Sequence, residues 1–272
     1  MKIKLDNLTI NYIPDDFTSS SKTTVLFIHG FTGSSEDWRF LFDKLDDHFS
    51  PVAIDLPGHG RSSSPEKADL YTEESIVDLI NNFLAGLNIN SVILCGYSMG
   101  GRAALSFASK YPDRLKGLIL ESTTAGIKTQ NERLQRAEDD SKLADYILAE
   151  GIDKFINDWY NKPLFNSINK SKESLDKLIK GKKNLSPTGL ANSLKGFSTG
   201  LMKNHWDILE DINMPVLLIT GEEDAKFSNI NDGMAELLPD ARHHTVRSAG
   251  HNVHLENEAE FVILLNSFLR KL

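Results

Sequence analysis

Short apolar runs and longer amphipathic stretches alternate along most of this chain. The runs are Thr24–Ile28, Val52–Ile54, Ser91–Cys95, Leu118–Leu120, Val216–Thr220 and His244–Val246. Each is continuous and stops at a polar or Gly-rich loop, the pattern of strands buried on both faces of a parallel sheet. Helical periodicity fills the intervals at Ser35–Leu45, Thr72–Leu87, Gly100–Lys110, Ile230–Leu238 and Glu258–Leu272. At the start, Lys2–Leu5 and Leu8–Tyr12 alternate in character around Asp6-Asn7 and predict two strands joined by a turn. A strand–helix rhythm of this kind predicts a mostly parallel, doubly wound α/β sheet, with ligands at the carboxyl ends of its strands.

One interval breaks the rhythm. Between Leu120 and Pro215 the pattern is helical, at Leu143–Ile147, Ile152–Tyr160, Ser174–Ile179 and Leu190–Phe197. Residues 122–206 are therefore expected to form a helical cap inserted into a core made of 1–121 and 207–272.

Composition changes this picture little. The 272 residues are 40% hydrophobic and 25% charged, ordinary for a globular domain. Cys95 is the only cysteine and lies in an apolar run, so it reads as a small buried hydrophobe. The N-terminus lacks a signal-like apolar core, and no stretch is long enough to span a bilayer, so a cytoplasmic protein without a membrane span is expected. A net charge of -8 argues against a nucleic-acid surface. The charge is uneven: residues 122–206 carry 14 Lys and Arg against 10 Asp and Glu, net +4, which leaves -12 on the rest. A basic insert in an acidic chain suits an anionic ligand, and a solvated Lys-rich helix surface explains the same count.

The candidate chemistry lies in the loops after the strands. Ser98 sits in Gly96-Tyr97-Ser98-Met99-Gly100, between a buried strand and a helix, the context a G-x-S-x-G nucleophile elbow requires. Its base should follow the last strand. His251, in Ala249-Gly250-His251-Asn252, fits, with His254 the nearest competitor among the eight histidines. The acid should follow Val216–Thr220, where Glu222, Glu223 and Asp224 compete; Asp224, shorter and at the point where the chain turns away, is favoured. The N–H groups of Met99 and Phe31 are the expected oxyanion donors, with Gly30 leaving room for the backbone. Asp55–Ser62 reads as turn chemistry that holds neighbouring loops.

His29-Gly30, Asp55–Ser62, the elbow and Gly250-His251 together resemble the α/β-hydrolase superfamily over nearly the whole chain. A narrower likeness runs through Gly96–Arg102, Gly126…Arg133…Arg136, Trp159-Tyr160 with Pro163 and Phe165, Gly221–Phe227 and Ala249–Asn257. This pattern resembles the 2-succinyl-6-hydroxy-2,4-cyclohexadiene-1-carboxylate synthases of menaquinone biosynthesis. That resemblance implies a lyase without cofactor or metal. It would eliminate pyruvate from 2-succinyl-5-enolpyruvyl-6-hydroxy-3-cyclohexene-1-carboxylate, a small tricarboxylate, with the triad moving a proton. It also implies substrate contacts from Tyr97, Arg102, Arg136 and Trp159, with Arg133 either a ligand or structural. Two departures stand out. Ala125 occupies a usual proline position, and the late-cap arginine is missing, leaving Lys180, Lys182 or Lys183 to supply the charge. A monomer or weak homo-oligomer is expected. The alternatives are a carboxylesterase or C–C bond hydrolase of the same fold, and a non-catalytic receptor or scaffold.

Overall fold

The computed structural model describes residues 1–14, 22–168, 172–182 and 184–272. Lys183 lies outside the described residues, as does the side chain of Lys180. Eight strands form one sheet: β1 (Lys2–Leu5), β2 (Leu8–Ile13), β3 (Thr23–Ile28), β4 (Phe49–Ile54), β5 (Val92–Tyr97), β6 (Leu115–Glu121), β7 (Val216–Gly221) and β8 (Ala241–Val246). Their order is β1-β2-β4-β3-β5-β6-β7-β8. The β1–β2 and β2–β4 pairs are antiparallel, and β4 through β8 pair in parallel. Every strand expected from the apolar runs is present, as is the opening hairpin. The fold is that of the α/β hydrolases.

Alternation along the strands sorts the core into two layers. In β5, Val92 and Leu94 join the layer built with α1 (Glu73–Gly86) and α2 (Met99–Lys110). Ile93, Cys95 and Tyr97 point to the opposite layer, with Trp38, Leu41 and Phe261. Cys95 is fully buried there, and burial, then the Glu121 charge, pushes its thiol well above the usual range.

Outside residues 122–206, three expected helices differ in extent by more than a residue. Ser35–Leu45 is a 3-10 segment, Ser35–Leu41, because its buried residues Ser35, Trp38 and Leu41 recur every third position. The helix expected at Ile230–Leu238 is α7 (Ala225–Ala235), which starts earlier because Asp224 caps it, its side chain accepting the Phe227 N–H. The C-terminal stretch is a short α8 (Val253–Glu256) followed by α9 (Glu258–Leu269).

Between β6 and β7 the described residues form α3 (Gln130–Glu150), α4 (Ile152–Tyr160), α5 (Lys172–Lys182), α6 (Pro187–Phe197) and 3-10 turns, with no strand. These helices share an apolar cluster of their own, with Ala144, Ile147, Phe155, Ile156, Tyr160 and Leu190 at its centre and Phe31 of the core packed against it. Polar ties join them to the sheet: Tyr160 Oη to Thr32 Oγ1 at 2.8 Å, Lys182 to Asp37 at 3.0 Å, and Arg102 to the Phe197 carbonyl at 2.7 Å. None of the described helices is long and apolar enough to cross a membrane.

A buried polar knot lies where the chain returns from α6 to the sheet. Glu73 accepts from Ser106 Oγ (2.7 Å) and the Lys203 N–H (2.7 Å), and pairs with His205 Nε2 (2.6 Å). Burial alone would raise the Glu73 carboxyl, but the hydrogen bonds from His205, Lys203 and Ser106 outweigh it and bring it down to about 2. A folded-state value below the unfolded 4.5 stabilises the fold at higher pH, and this contribution is lost as pH falls through 2. Urea denaturation should find Glu73→Gln less stable than wild type by about 2 kcal/mol near neutral pH. That gap should close as pH falls between about 4.5 and 2. A gap independent of pH would contradict this account.

Candidate active site

Strand adjacency assembles the site. Register pairs Ile28 with Gly96 and Tyr97 with Glu121, so the loops after β3, β5 and β6 emerge side by side. Chain connections leave β3 and β5 toward opposite edges of the sheet, which makes this a topological switch point. The elbow turns sharply here: Ser98 has φ 50° and ψ -105°, a strained conformation for any residue with a Cβ. Gly96 and Gly100 make the turn possible. A Cβ on Gly96 would stand 2.3 Å from the Gly100 carbonyl oxygen, and one on Gly100 would stand 2.1 Å from that of Ile28.

The three residues expected to act together meet. His251 Nε2 lies 3.1 Å from Ser98 Oγ, and His251 Nδ1 lies 2.6 Å from Asp224 Oδ2. Asp224 thus caps α7 with one oxygen and holds the imidazole with the other. Glu222 and Glu223, the other acids of this loop, are exposed. Phe227 and Tyr97 flank the imidazole, with ring centroids 4.6 and 5.4 Å away.

The loop after β3 lies against the elbow: a Cβ on Gly30 would come within 2.6 Å of the Tyr97 ring and 3.5 Å of Ser98 Cβ. Among the described residues, the Phe31 and Met99 N–H groups find no acceptor. His29 fixes the loop as a neutral imidazole. Its Nδ1 donates to the Gly30 carbonyl (2.7 Å), and its Nε2 accepts the Leu56 N–H (3.0 Å). Burial holds its pKa below the usual value. Asp55 braces the same region, accepting from the Ser35 N–H (2.6 Å), the Arg61 N–H (2.7 Å) and Asn11 Nδ2 (2.9 Å).

Ser98 opens into a cavity of about 80 Å³ lined by Phe31, Tyr97, Trp159, Phe165, Lys182 and His251, among others. The Trp159 indole N–H is buried there without a partner among the described residues. A second cleft of about 880 Å³ lies outside it. Gly33, Asp37, Leu178, Lys182 and Leu255 line both, so the Lys182–Asp37 ion pair stands at their junction. Burial would lower the Lys182 ammonium, but Asp37 raises it; burial would raise Asp37, but Lys182 holds it below the usual carboxylate range.

The three arginines do not line the cavity over Ser98. Arg102 lies one turn along α2, bonded to the Phe197 carbonyl with its guanidinium 4.6 Å from that ring. Burial, then nearby Arg136, lowers it to about 10, so it remains charged at neutral pH. Arg136 pairs with buried Asp140 at 2.8 Å, and Arg133 bonds to the carbonyls of Met202 (2.9 Å) and Gly200 (3.4 Å). Sequence reasoning did not find Asp37, nor the pairing of His254 with Glu121. His254 is buried and stacks on Trp38, with ring centroids 4.2 Å apart.

The alpha/beta hydrolase fold family model matches residues 23–258. A putative 2-succinyl-6-hydroxy-2,4-cyclohexadiene-1-carboxylate synthase of Bacillus subtilis is 41% identical over 96% of this chain and 95% of its own length. The synthase of that name from Photorhabdus laumondii is 32% identical over 90% of this chain and 84% of its own. The solved structure of MenH from S. aureus superposes with a TM-score of 0.89 at 32% identity, covering 96% of this chain and 98% of that one. A thermophilic esterase from Thermogutta terrifontis, at 24% identity and a TM-score of 0.87, shares the fold. The chain belongs to the alpha/beta hydrolase fold family and, within it, to the 2-succinyl-6-hydroxy-2,4-cyclohexadiene-1-carboxylate synthases.

Proposed function

We propose that this protein eliminates pyruvate from 2-succinyl-5-enolpyruvyl-6-hydroxy-3-cyclohexene-1-carboxylate, giving 2-succinyl-6-hydroxy-2,4-cyclohexadiene-1-carboxylate for menaquinone. The Ser98–His251–Asp224 arrangement, inside a chain this similar to named synthases, carries the reading. His251 Nε2 draws the proton from Ser98 Oγ, and Ser98 takes one from the carbon α to the succinyl ketone. Asp224 fixes the imidazole tautomer and stabilises its cation. The Phe31 and Met99 N–H groups hold the enolate oxygen. Electrons from the broken C–H bond move through the ring and the bond to the enolpyruvyl oxygen breaks; the departing enolate takes up a proton at its methylene carbon to become pyruvate, and the His251 imidazolium gives up its own, which restores the resting site.

Residues 122–206 act as the cap, and 1–121 with 207–272 as the catalytic core, a division supported by the separate apolar cluster of α3–α6. The substrate's carboxylates call for cations. Arg102 spends one nitrogen on protein partners, which leaves donors for a carboxylate. Arg136 sits within electrostatic reach of it. Arg133, bonded to two carbonyls, holds the cap's return loop. Tyr97 and Trp159 shape the wall, and the unpartnered Trp159 N–H offers a donor to a substrate oxygen. Among the cap lysines, Lys182 supplies the charge of the missing arginine. The cavity over Ser98 is smaller than ligand pockets usually are, about 300 Å³ or more. Substrate entry from the outer cleft therefore parts Lys182 from Asp37, and a carboxylate takes its place. The enzyme works in the cytoplasm as a monomer or weak homo-oligomer.

Pyruvate release, coupled to lactate dehydrogenase, tests the reaction. Wild type should release pyruvate and turn over p-nitrophenyl acetate slowly, and Ser98→Ala should lose about 10³-fold or more in kcat. Fast ester hydrolysis without pyruvate would favour the esterase alternative instead. Lys182→Met should raise KM about 10-fold or more, and Lys182→Arg should restore most of the affinity. An unchanged KM in Lys182→Met would remove this residue from the binding site. Arg102→Ala should lower kcat/KM by about 2 kcal/mol in transition-state terms, and unaltered kinetics would refute its placement near the substrate.

A further inference from the structure

Glu121 ends β6 directly beside the elbow, paired in register with Tyr97. Its main-chain carbonyl accepts the Ser98 N–H at 2.8 Å. Its side chain turns to a different element. Oε1 accepts the His254 N–H at 3.0 Å, and Oε2 accepts from His254 Nδ1 at 2.7 Å. Glu121 is 0% exposed and His254 3%. The His254 ring is clamped between Trp38, at 4.2 Å, and the edge of Tyr97, at 5.0 Å. His254 follows His251 by three residues, in the first turn of α8. Glu256, in the same turn, closes the loop around His251: its two oxygens accept the N–H groups of Gly250 (2.9 Å) and Asn252 (3.0 Å).

We propose that Glu121 is a positioning residue that sets the distance between Ser98 and His251, its main chain holding the serine and its carboxylate holding, through His254, the loop that carries the imidazole. The proposal rests on the proton-transfer role assigned above to Ser98 and His251. A wholly buried carboxylate is costly, and an apolar pair of similar size would pack as well. Its return here is geometric. Among the described residues, the 3.1 Å contact itself is the one hydrogen bond that joins the elbow directly to the loop after β8, beside the packing of the Tyr97 ring on both histidines. Small misplacement of reacting groups costs far more in rate than in stability.

The test uses the full chain carrying Glu121→Gln, His254→Leu, His254→Asn, or Glu121→Gln with His254→Leu. The Asn amide nitrogen takes the place of Nδ1, so His254→Asn keeps the bond to Glu121, whereas Leu removes it. Glu121→Gln and His254→Leu should each lower kcat for pyruvate release about 10- to 100-fold with KM within about 2-fold. His254→Asn should recover to within about 5-fold of wild type, and the double variant should be no worse than the poorer single one. Labelling of Ser98 by a fluorophosphonate should slow in the same order. That reaction needs only an activated Ser98, so it reads the proposal even if wild type releases no pyruvate, a result that would instead sink the proposed reaction. Thermal unfolding identifies any variant that fails to fold, and if Glu121→Gln does, the Leu and Asn pair at His254 decides. The proposal is overturned if folded His254→Leu keeps wild-type kcat and labelling, or if Leu and Asn lose activity equally.

Discussion

The backbone turn at Ser98 governs the rest of this structure. A residue with a Cβ is held at φ 50° between a buried strand and a helix, and this tight reversal raises its hydroxyl above the sheet. The strain persists only because its neighbours over-determine it. Glycines on both sides let strand and helix close to contact, the Ser98 N–H is taken by Glu121, and its carbonyl accepts from the Thr123 hydroxyl at 2.8 Å and from the Arg102 N–H at 3.1 Å. The elbow is therefore fixed from three directions, and the other groups of the site are fixed relative to it. The loop after β3 brings Phe31, the loop after β7 Asp224, and the loop after β8 His251.

Carboxylates do much of the holding. Asp224 holds His251, Asp55 gathers the loops behind Phe31, Glu256 brackets His251, and Asp37 meets Lys182 at the cavity junction. Each is paired with a donor, as partly or wholly buried charge must be. Acids outnumber cations outside residues 122–206, and the excess of cations falls within them. Lys182, one of these cations, has a carboxylate as its partner at the junction of the two cavities.

Local signals were legible in the sequence and distant ones were not. The strands follow from apolar runs, and Ser98, Asp224 and His251 from loops at the ends of those runs, because chain direction in a parallel sheet brings all such loops to one edge. The 3-10 segment at Ser35–Leu41 is shorter than its apolar residues suggest, because the three-residue period appears only in which side chains are buried, polar Ser35 among them. Lys182 with Asp37 and His254 with Glu121 are 145 and 133 residues apart, so no local pattern links them. The arginines show the converse. Their types and spacing are visible, but packing sends Arg133 to backbone carbonyls and Arg136 to Asp140. His254, the other histidine of that loop, has its Nδ1 bonded to Glu121, while His251 faces Ser98.

The central claim is that Ser98 moves a proton here and does not carry an acyl group, although its geometry also suits acyl transfer. Intact-protein mass measured after acid quench during steady-state turnover of the enolpyruvyl substrate addresses this directly. The account predicts an unmodified chain at every quench time. A time-dependent adduct on Ser98 with the mass of a substrate-derived acyl group would contradict it.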